Sequence, residues 1–194
     1  MDSKGQLRAV ARQRRRVREN KALIDAAVRD HLLTHLRGCT RVAAYSPMPA
    51  EPGGEELPDV LAAAGLEVFL PVTLGAGVLE WALHVPGQLA RGAHFGITEP
   101  TGERFPSSML SSCDVVIVPA LGVDRRGMRL GQGAGYYDRA LVHAGAVPRI
   151  ALVYDDEVHD VLPSEPHDKP VDGAITPHGF LRFKGTSPGA ATVQ

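Results

Sequence analysis

Apolar positions along the chain switch between a helical and an extended period. Over residues 3–18, Leu7, Val10, Ala11 and Val17 fall near one side of a 3.6-residue repeat, which predicts a helix with Ser3 as its N-cap. Lys4, Arg8, Arg12 and Arg15 step by four, four and three, so they share another face of that helix. A second helix is expected from Asn20 to Leu36, closed by Gly38. The run TRVAAYS then reads as a short buried strand, SPMPAEPGG as a loop, and residues 55–64 as a short helix ending at Gly65. LEVFLPV predicts a strand, and the alternation in VLEWALHV predicts a third. CDVVIVPAL, residues 113–121, is the clearest buried strand. A helix is expected over Tyr136 to Ala144, a strand over PRIALVYDD and a last short one at DGAIT.

Strands that alternate with helices and are almost continuously apolar predict an α/β fold. The expected architecture is a mostly parallel sheet with helices on both faces, three layers in all. One domain is expected over residues 1–184, with a small, polar tail at residues 185–194. Ligands of such folds sit outside the carboxyl ends of the strands. Two loops that follow strands are rich in unusual residues there, Ser46 to Gly54 and Gly122 to Gly135.

Composition narrows the setting. Two cysteines among 194 residues make neither a disulfide framework nor a metal-ligand cluster. No apolar run approaches the length of a membrane helix, and the N-terminus lacks the apolar core of a secretory signal, so a cytoplasmic protein is expected. The net charge of −1 hides an asymmetry: residues 1–40 hold ten Lys and Arg against four Asp and Glu, a net of +6. The cationic row on the first helix suits a nucleotide phosphate, nucleic acid, a transit peptide or a merely solvated face. Low aromatic content and the absence of basic bias elsewhere argue against nucleic acid, and Asp2 and Glu19 argue against a transit peptide.

The stretch RLGQGAGYYDR, residues 129–139, carries the densest chemistry. Gly131, Gly133 and Gly135 free the backbone to approach a ligand, and successive N–H groups in such a loop form an anion nest. The expected helix start at Tyr136 and the charge of Arg129 add positive potential. Neither the Walker pattern nor the dinucleotide fingerprint fits, since position 136 is Tyr rather than Gly. Asp138 is either a favourable charge on the first helical turn or a Mg²⁺ ligand beside a phosphate, with Asp168 or Asp172 as a second carboxylate.

Five motifs in one order make the chain resemble the 5-formyltetrahydrofolate cyclo-ligases, also called methenyltetrahydrofolate synthetases. They are KxxLR at Lys4 to Arg8, YxPMPxEP at Tyr45 to Pro52, a GxFGIxEP-like element from Gly92 to Pro100 with His94 at its variable position, the glycine loop from Arg129 to Arg139, and HDxPVD at His167 to Asp172. The resemblance implies an ATP- and Mg²⁺-dependent conversion of 5-formyltetrahydrofolate, free or polyglutamated, to 5,10-methenyltetrahydrofolate. ATP phosphorylates the formyl oxygen, and ADP and phosphate are released. It implies a monomer that engages neither nucleic acid nor membrane.

The same resemblance implies residue roles. Lys4 and Arg8 match ATP-phosphate contacts. Arg129, Gly131, Gln132, Gly133, Ala134, Gly135, Tyr136 and Tyr137 match the ATP loop, and Arg129, Gln132 and Tyr136 border the reacting groups. Asp138 and Asp168 match Mg²⁺ ligands. Glu51 matches the carboxylate that recognises the pterin, with Met48, Gln132 and Tyr136 lining the folate pocket. Trp81 is either a substrate-side aromatic or a core residue. Arg12 and Arg15 extend the cationic face, solvated or not. Gln132 stands where the resembling loops carry arginine, so an alternative is a folate- or nucleotide-binding relative with weak or no catalysis. Arg125, Arg126 and Arg139 are candidates to replace the lost charge. His159 and His167 read as surface or loop residues.

Overall fold

The computed structural model describes residues 3–92 and 97–183; His94 and the expected tail at residues 185–194 lie outside them. Helix α1 spans Lys4–Arg16 and starts on a capping box in which Ser3 and Gln6 exchange hydrogen bonds. Helix α2, Lys21–His35, follows Asn20, which takes a left-handed conformation at φ 53°. The chain continues through β1 (Arg41–Ala43), α3 (Leu57–Ala63), β2 (Glu67–Thr73) and β3 (Leu79–Leu83). Then come β4 (Leu89–Arg91), β5 (Thr98–Pro100), β6 (Arg104–Pro106), β7 (Val115–Pro119), β8 (Gly122–Asp124) and β9 (Arg129–Leu130). Helix α4 (Tyr136–Ala140), β10 (Arg149–Leu152), β11 (Val158–His159), β12 (Gly173–Thr176) and β13 (Gly179–Arg182) complete the order.

Eight strands form the main sheet in the order β13-β12-β10-β7-β1-β2-β3-β6. The central five, β12-β10-β7-β1-β2, are parallel, and antiparallel strands extend each edge. The expected strand at VLEWALHV is one of these, paired antiparallel to β2. Alternate side chains divide the core. Val42, Ala44, Val115, Ile117, Ile150 and Leu152 pack with Val28 and Leu32 of α2 and with Leu57 and Leu61 of α3. Ala43, Val116, Val118 and Ala151 face the other way, onto Leu110, Ala140, Leu141 and Ala144. Each fully buried aliphatic side chain contributes about 1.5–3 kcal/mol, which is why the VVIV run sits at the centre.

Helix α1 covers neither face. Its Leu7 and Ala11 pack with Leu121, Leu130 and Leu162, beyond the carboxyl end of β7. This places the cationic row over the end of the sheet where ligands are expected. The helix after the glycine loop is shorter than the sequence suggests: α4 has five residues and tightens into a 3₁₀ turn over Leu141–Ala144. Its dipole is correspondingly weak, so positive potential at the loop comes from side chains and the loop's own amides.

Candidate active site at the carboxyl ends of the central strands

Strands β1 and β7 are parallel neighbours, and the chain leaves them in opposite directions, β1 toward β2 and β7 toward β10. Such a switch point opens a crevice between the two following loops. Glu51 lies on the loop after β1, and Gln132 lies between β9 and α4 in the longer connection that follows β7. They meet there: Gln132 Nε2 donates to Glu51 Oε1 at 3.2 Å.

Helix α1 closes over this contact. Arg8 Nε donates to the Gly131 carbonyl at 2.8 Å. One turn later, Arg12 Nη2 donates to the Gln132 carbonyl at 3.1 Å and to its Oε1 at 3.0 Å. Lys4 Nζ lies 2.6 Å from Asp168 and 3.2 Å from Glu165. Burial alone lowers the Lys4 pKa, but the hydrogen bonds and charges of the two carboxylates outweigh it and raise the value. The same ammonium and the Glu165 N–H hold the Asp168 carboxyl below its ordinary range, against the opposite pull of burial.

Asp138 adjoins this group. Its Oδ1 accepts from Arg129 Nη2 at 2.9 Å and from the Lys169 N–H at 3.2 Å, so the two expected metal carboxylates stand on adjoining segments. Arg129 is buried, with Nη1 on the Pro119 carbonyl at 3.1 Å. A Cβ on Gly131 would lie 2.7 Å from that guanidinium and force it to shift, and Gly133 has φ 107°, a conformation that favours glycine.

The Glu51 loop is clamped from α2. Asp25 accepts from the Gly53 N–H at 3.1 Å and from the Tyr154 hydroxyl at 3.0 Å, and it pairs with Lys21. Lys21 Nζ in turn donates to the Glu51 carbonyl at 2.9 Å. Glu51 Oε2 accepts from the Met48 N–H at 3.0 Å, while the Met48 side chain is exposed. Burial raises the Glu51 pKa, opposed by the Met48 N–H, the Arg15 charge and the Gln132 amide. Lys21, Asp25 and Glu165 escaped the sequence reading. The i,i+4 spacing of Lys21 and Asp25 was the available signal.

The aromatics divide. Tyr136 is half-buried, with its hydroxyl on the Leu74 carbonyl at 3.2 Å. Tyr137 packs edge-on against Trp81 in the core. Of the two roles open to Trp81, the structure has the core one: it is fully buried, with Nε1 donating to Ser107 Oγ at 3.2 Å. Four buried polar atoms have no hydrogen-bond partner among the described residues here: Tyr45 Oη, Ser46 Oγ, Arg129 Nε and Tyr137 Oη. Buried polar atoms are ordinarily paired, so these four are open to a water or a polar ligand. A cleft of about 380 Å³ lined by Leu74, Glu99 and Arg104 adjoins Tyr136, and one of about 300 Å³ runs between β3 and Arg139. Neither is lined by Glu51 or Gln132.

Several expectations are corrected. Arg15 is no solvated extension of the cationic face; it is buried against Glu157. The charge beside Gln132 comes from Arg12, not from the three arginines expected to replace it. Arg125 pairs with Asp160, Arg126 with Asp124, and Arg139 donates to the Ala134 carbonyl. Asp172 accepts from the Arg149 N–H and so braces the sheet rather than the site. His167 is exposed and joins Glu165 and Asp168 in a cluster whose ligand atoms lie within 4.8 Å of one another.

The model of the 5-formyltetrahydrofolate cyclo-ligase family matches residues 1–177. A 5-formyltetrahydrofolate cyclo-ligase of Mycolicibacterium smegmatis is 43% identical, over 90% of this chain and 94% of its own. One from Escherichia coli is 32% identical over 70% and 77%. The solution structure of Aquifex aeolicus 5,10-methenyltetrahydrofolate synthetase superposes with a TM-score of 0.75 at 27% identity, covering 97% of each chain. The Mycoplasma pneumoniae synthetase, at 21% identity, shares the fold with a TM-score of 0.71. Over nearly its whole described length, the chain belongs to the 5-formyltetrahydrofolate cyclo-ligase family.

Proposed function

We propose that this chain converts 5-formyltetrahydrofolate to 5,10-methenyltetrahydrofolate with hydrolysis of ATP to ADP and phosphate. The observation that carries this reading is the Gln132–Glu51 hydrogen bond, which joins the glycine loop to the carboxylate expected to hold the pterin. An ionised Glu51 accepts two N–H bonds from an aminopyrimidine edge, and both its oxygens keep a free lone pair. The glycine loop, Lys4 and Arg8 supply N–H groups and charge for the triphosphate.

Phosphorylation turns the formyl oxygen into a leaving group: the oxygen attacks the γ-phosphorus and ADP departs. The second folate nitrogen then attacks the formyl carbon, loses its proton, and phosphate leaves as the ring closes. Positioning and charge neutralisation dominate such a transfer. Arg129, Gln132 and Tyr136 border the reacting groups in this reading.

Asp138 and Asp168 fit Mg²⁺. They are hard oxygen donors on adjoining segments, each now neutralised by a cation, Arg129 and Lys4. Bound there, Mg²⁺ would shield phosphate charge. Lys4, which is half-buried, would then offer its ammonium to a phosphate, while the buried Arg129 keeps its place between Asp138 and the Pro119 carbonyl.

We read the protein as a cytoplasmic monomer acting on free or polyglutamated folate. Among the described residues no helix is long and apolar enough to cross a membrane. The test is formation of the methenyl absorbance from 5-formyltetrahydrofolate, with and without ATP and Mg²⁺. Absence of turnover at saturating substrates refutes the activity; tight folate binding without phosphate release would instead favour a binding relative.

A further inference from the structure

Gln132 is held between a group that only donates and a group that only accepts. Arg12 reaches its Oε1 from Nη2 at 3.0 Å, and its backbone carbonyl from the same nitrogen at 3.1 Å. On the opposite side, Gln132 Nε2 donates to Glu51 Oε1 at 3.2 Å. A guanidinium has no acceptor, and an ionised carboxylate has no donor. Arg12 and Gln132 are exposed, and these two contacts favour one orientation of the amide. Turned over, it would set N–H₂ against the guanidinium and its oxygen against Glu51.

We propose that Arg12 is a positioning residue for folate recognition: by gripping both oxygens of Gln132 it locks the amide with N–H₂ toward Glu51. The proposal rests on the reading of Glu51 as the pterin carboxylate. Glu51 is buried, and the Met48 N–H holds its other oxygen. The Gln132 amide thus supplies the second of two fixed donors that keep the carboxylate from rotating. Arg12 acts through the loop, since Arg8 grips the adjacent Gly131 carbonyl one helical turn earlier. Together the two arginines fasten α1 to consecutive peptide units, and only Arg12 reaches on to a side chain facing Glu51.

The test compares wild type, Arg12→Met, Arg12→Lys, Gln132→Met and the Arg12→Met/Gln132→Met double variant, varying 5-formyltetrahydrofolate and ATP separately. Arg12→Met is expected to raise the folate KM about tenfold and leave the ATP KM within about twofold. Lysine, also donor-only, restores part of the loss. In the Gln132→Met background, Arg12→Met adds nothing further. An Arg12→Met variant that raises the ATP KM while sparing the folate KM makes Arg12 a phosphate contact and overturns the proposal. Independent effects of the two substitutions overturn it as well. If wild type binds 5-formyltetrahydrofolate without converting it, the activity fails, and the same variants compared by equilibrium binding still decide the role of Arg12.

Discussion

Arg15 and Glu157 form a two-armed buried ion pair: Nε lies 2.6 Å from Oε1, and Nη2 lies 2.7 Å from Oε2. The same Nη2 donates to the Ala120 carbonyl at 2.6 Å, and Glu157 Oε2 also accepts from the Tyr154 N–H at 2.9 Å. The pair ties α1 to the loops after β7 and β10. It holds the cationic helix over the site without itself offering charge to a ligand.

Breaking that pair from one side is expected to destabilise the fold by about 3–5 kcal/mol, because an uncompensated charge stays buried. Urea unfolding of Arg15→Met measures this. The Arg15→Met/Glu157→Met double variant recovers most of the loss, leaving the Tyr154 N–H and the Ala120 carbonyl without their partners. A single variant within about 1 kcal/mol of wild type, the range of an exposed pair, would show that the two ions contribute as a surface pair does.

The Arg15 pair also explains what the sequence concealed. The helical repeat and the Ser3 cap are local, and the VVIV run announces its own burial, so α1 and β7 were legible. The face shared by Lys4, Arg8, Arg12 and Arg15 was legible too, but the partners were not. Glu157 is 142 positions from Arg15, and Gln132 is 120 from Arg12. No spacing rule reaches across such separations. The family motifs put Gln132 and Glu51 in one folate pocket, but the hydrogen bond between them, 81 positions apart, was not legible. Strands β8, β9 and β11 span two or three residues each, too few for a period to show.

Glu51 carries a pH signature. Burial places its folded pKa above its ordinary value of about 4.3, despite the Met48 N–H, Arg15 and Gln132. Its proton is held more tightly in the folded chain, so the stability Glu51 contributes is fully present below about pH 4.3 and is lost as pH rises through the raised folded pKa. Folate recognition needs the opposite, ionised form. The acid limb of kcat/KM for 5-formyltetrahydrofolate should therefore lie above the ordinary carboxylate range. Glu51→Gln should lose that limb and at least about tenfold in kcat/KM. Retention of the same acid limb in Glu51→Gln would assign it to another group.

Asp138→Asn tests the metal site. The amide oxygen still accepts from Arg129 and the Lys169 N–H, but the buried Arg129 loses its counter-charge, so the melting temperature should fall. Mg²⁺ loses a charged ligand, and the concentration giving half-maximal turnover should rise about tenfold or more. Titrating turnover with Mg²⁺ reads this directly. An unchanged midpoint removes Asp138 from the metal site.

Lys21 and Tyr154 both serve Asp25, yet they should differ in what they do to function. Tyr154→Phe removes one donor from the buried carboxylate but leaves Lys21 and the Gly53 N–H in place. It should cost about 1 kcal/mol of stability and spare the folate KM. Lys21→Met removes the bond to the Glu51 carbonyl as well as the charge beside Asp25, so the loop carrying Glu51 loses its anchor to α2. The folate KM should then rise severalfold with the ATP KM unchanged, measured alongside thermal melts of both variants. If the two variants shift the folate KM equally, Lys21 acts through general stability, and the Glu51 loop is held by the Asp25–Gly53 bond alone.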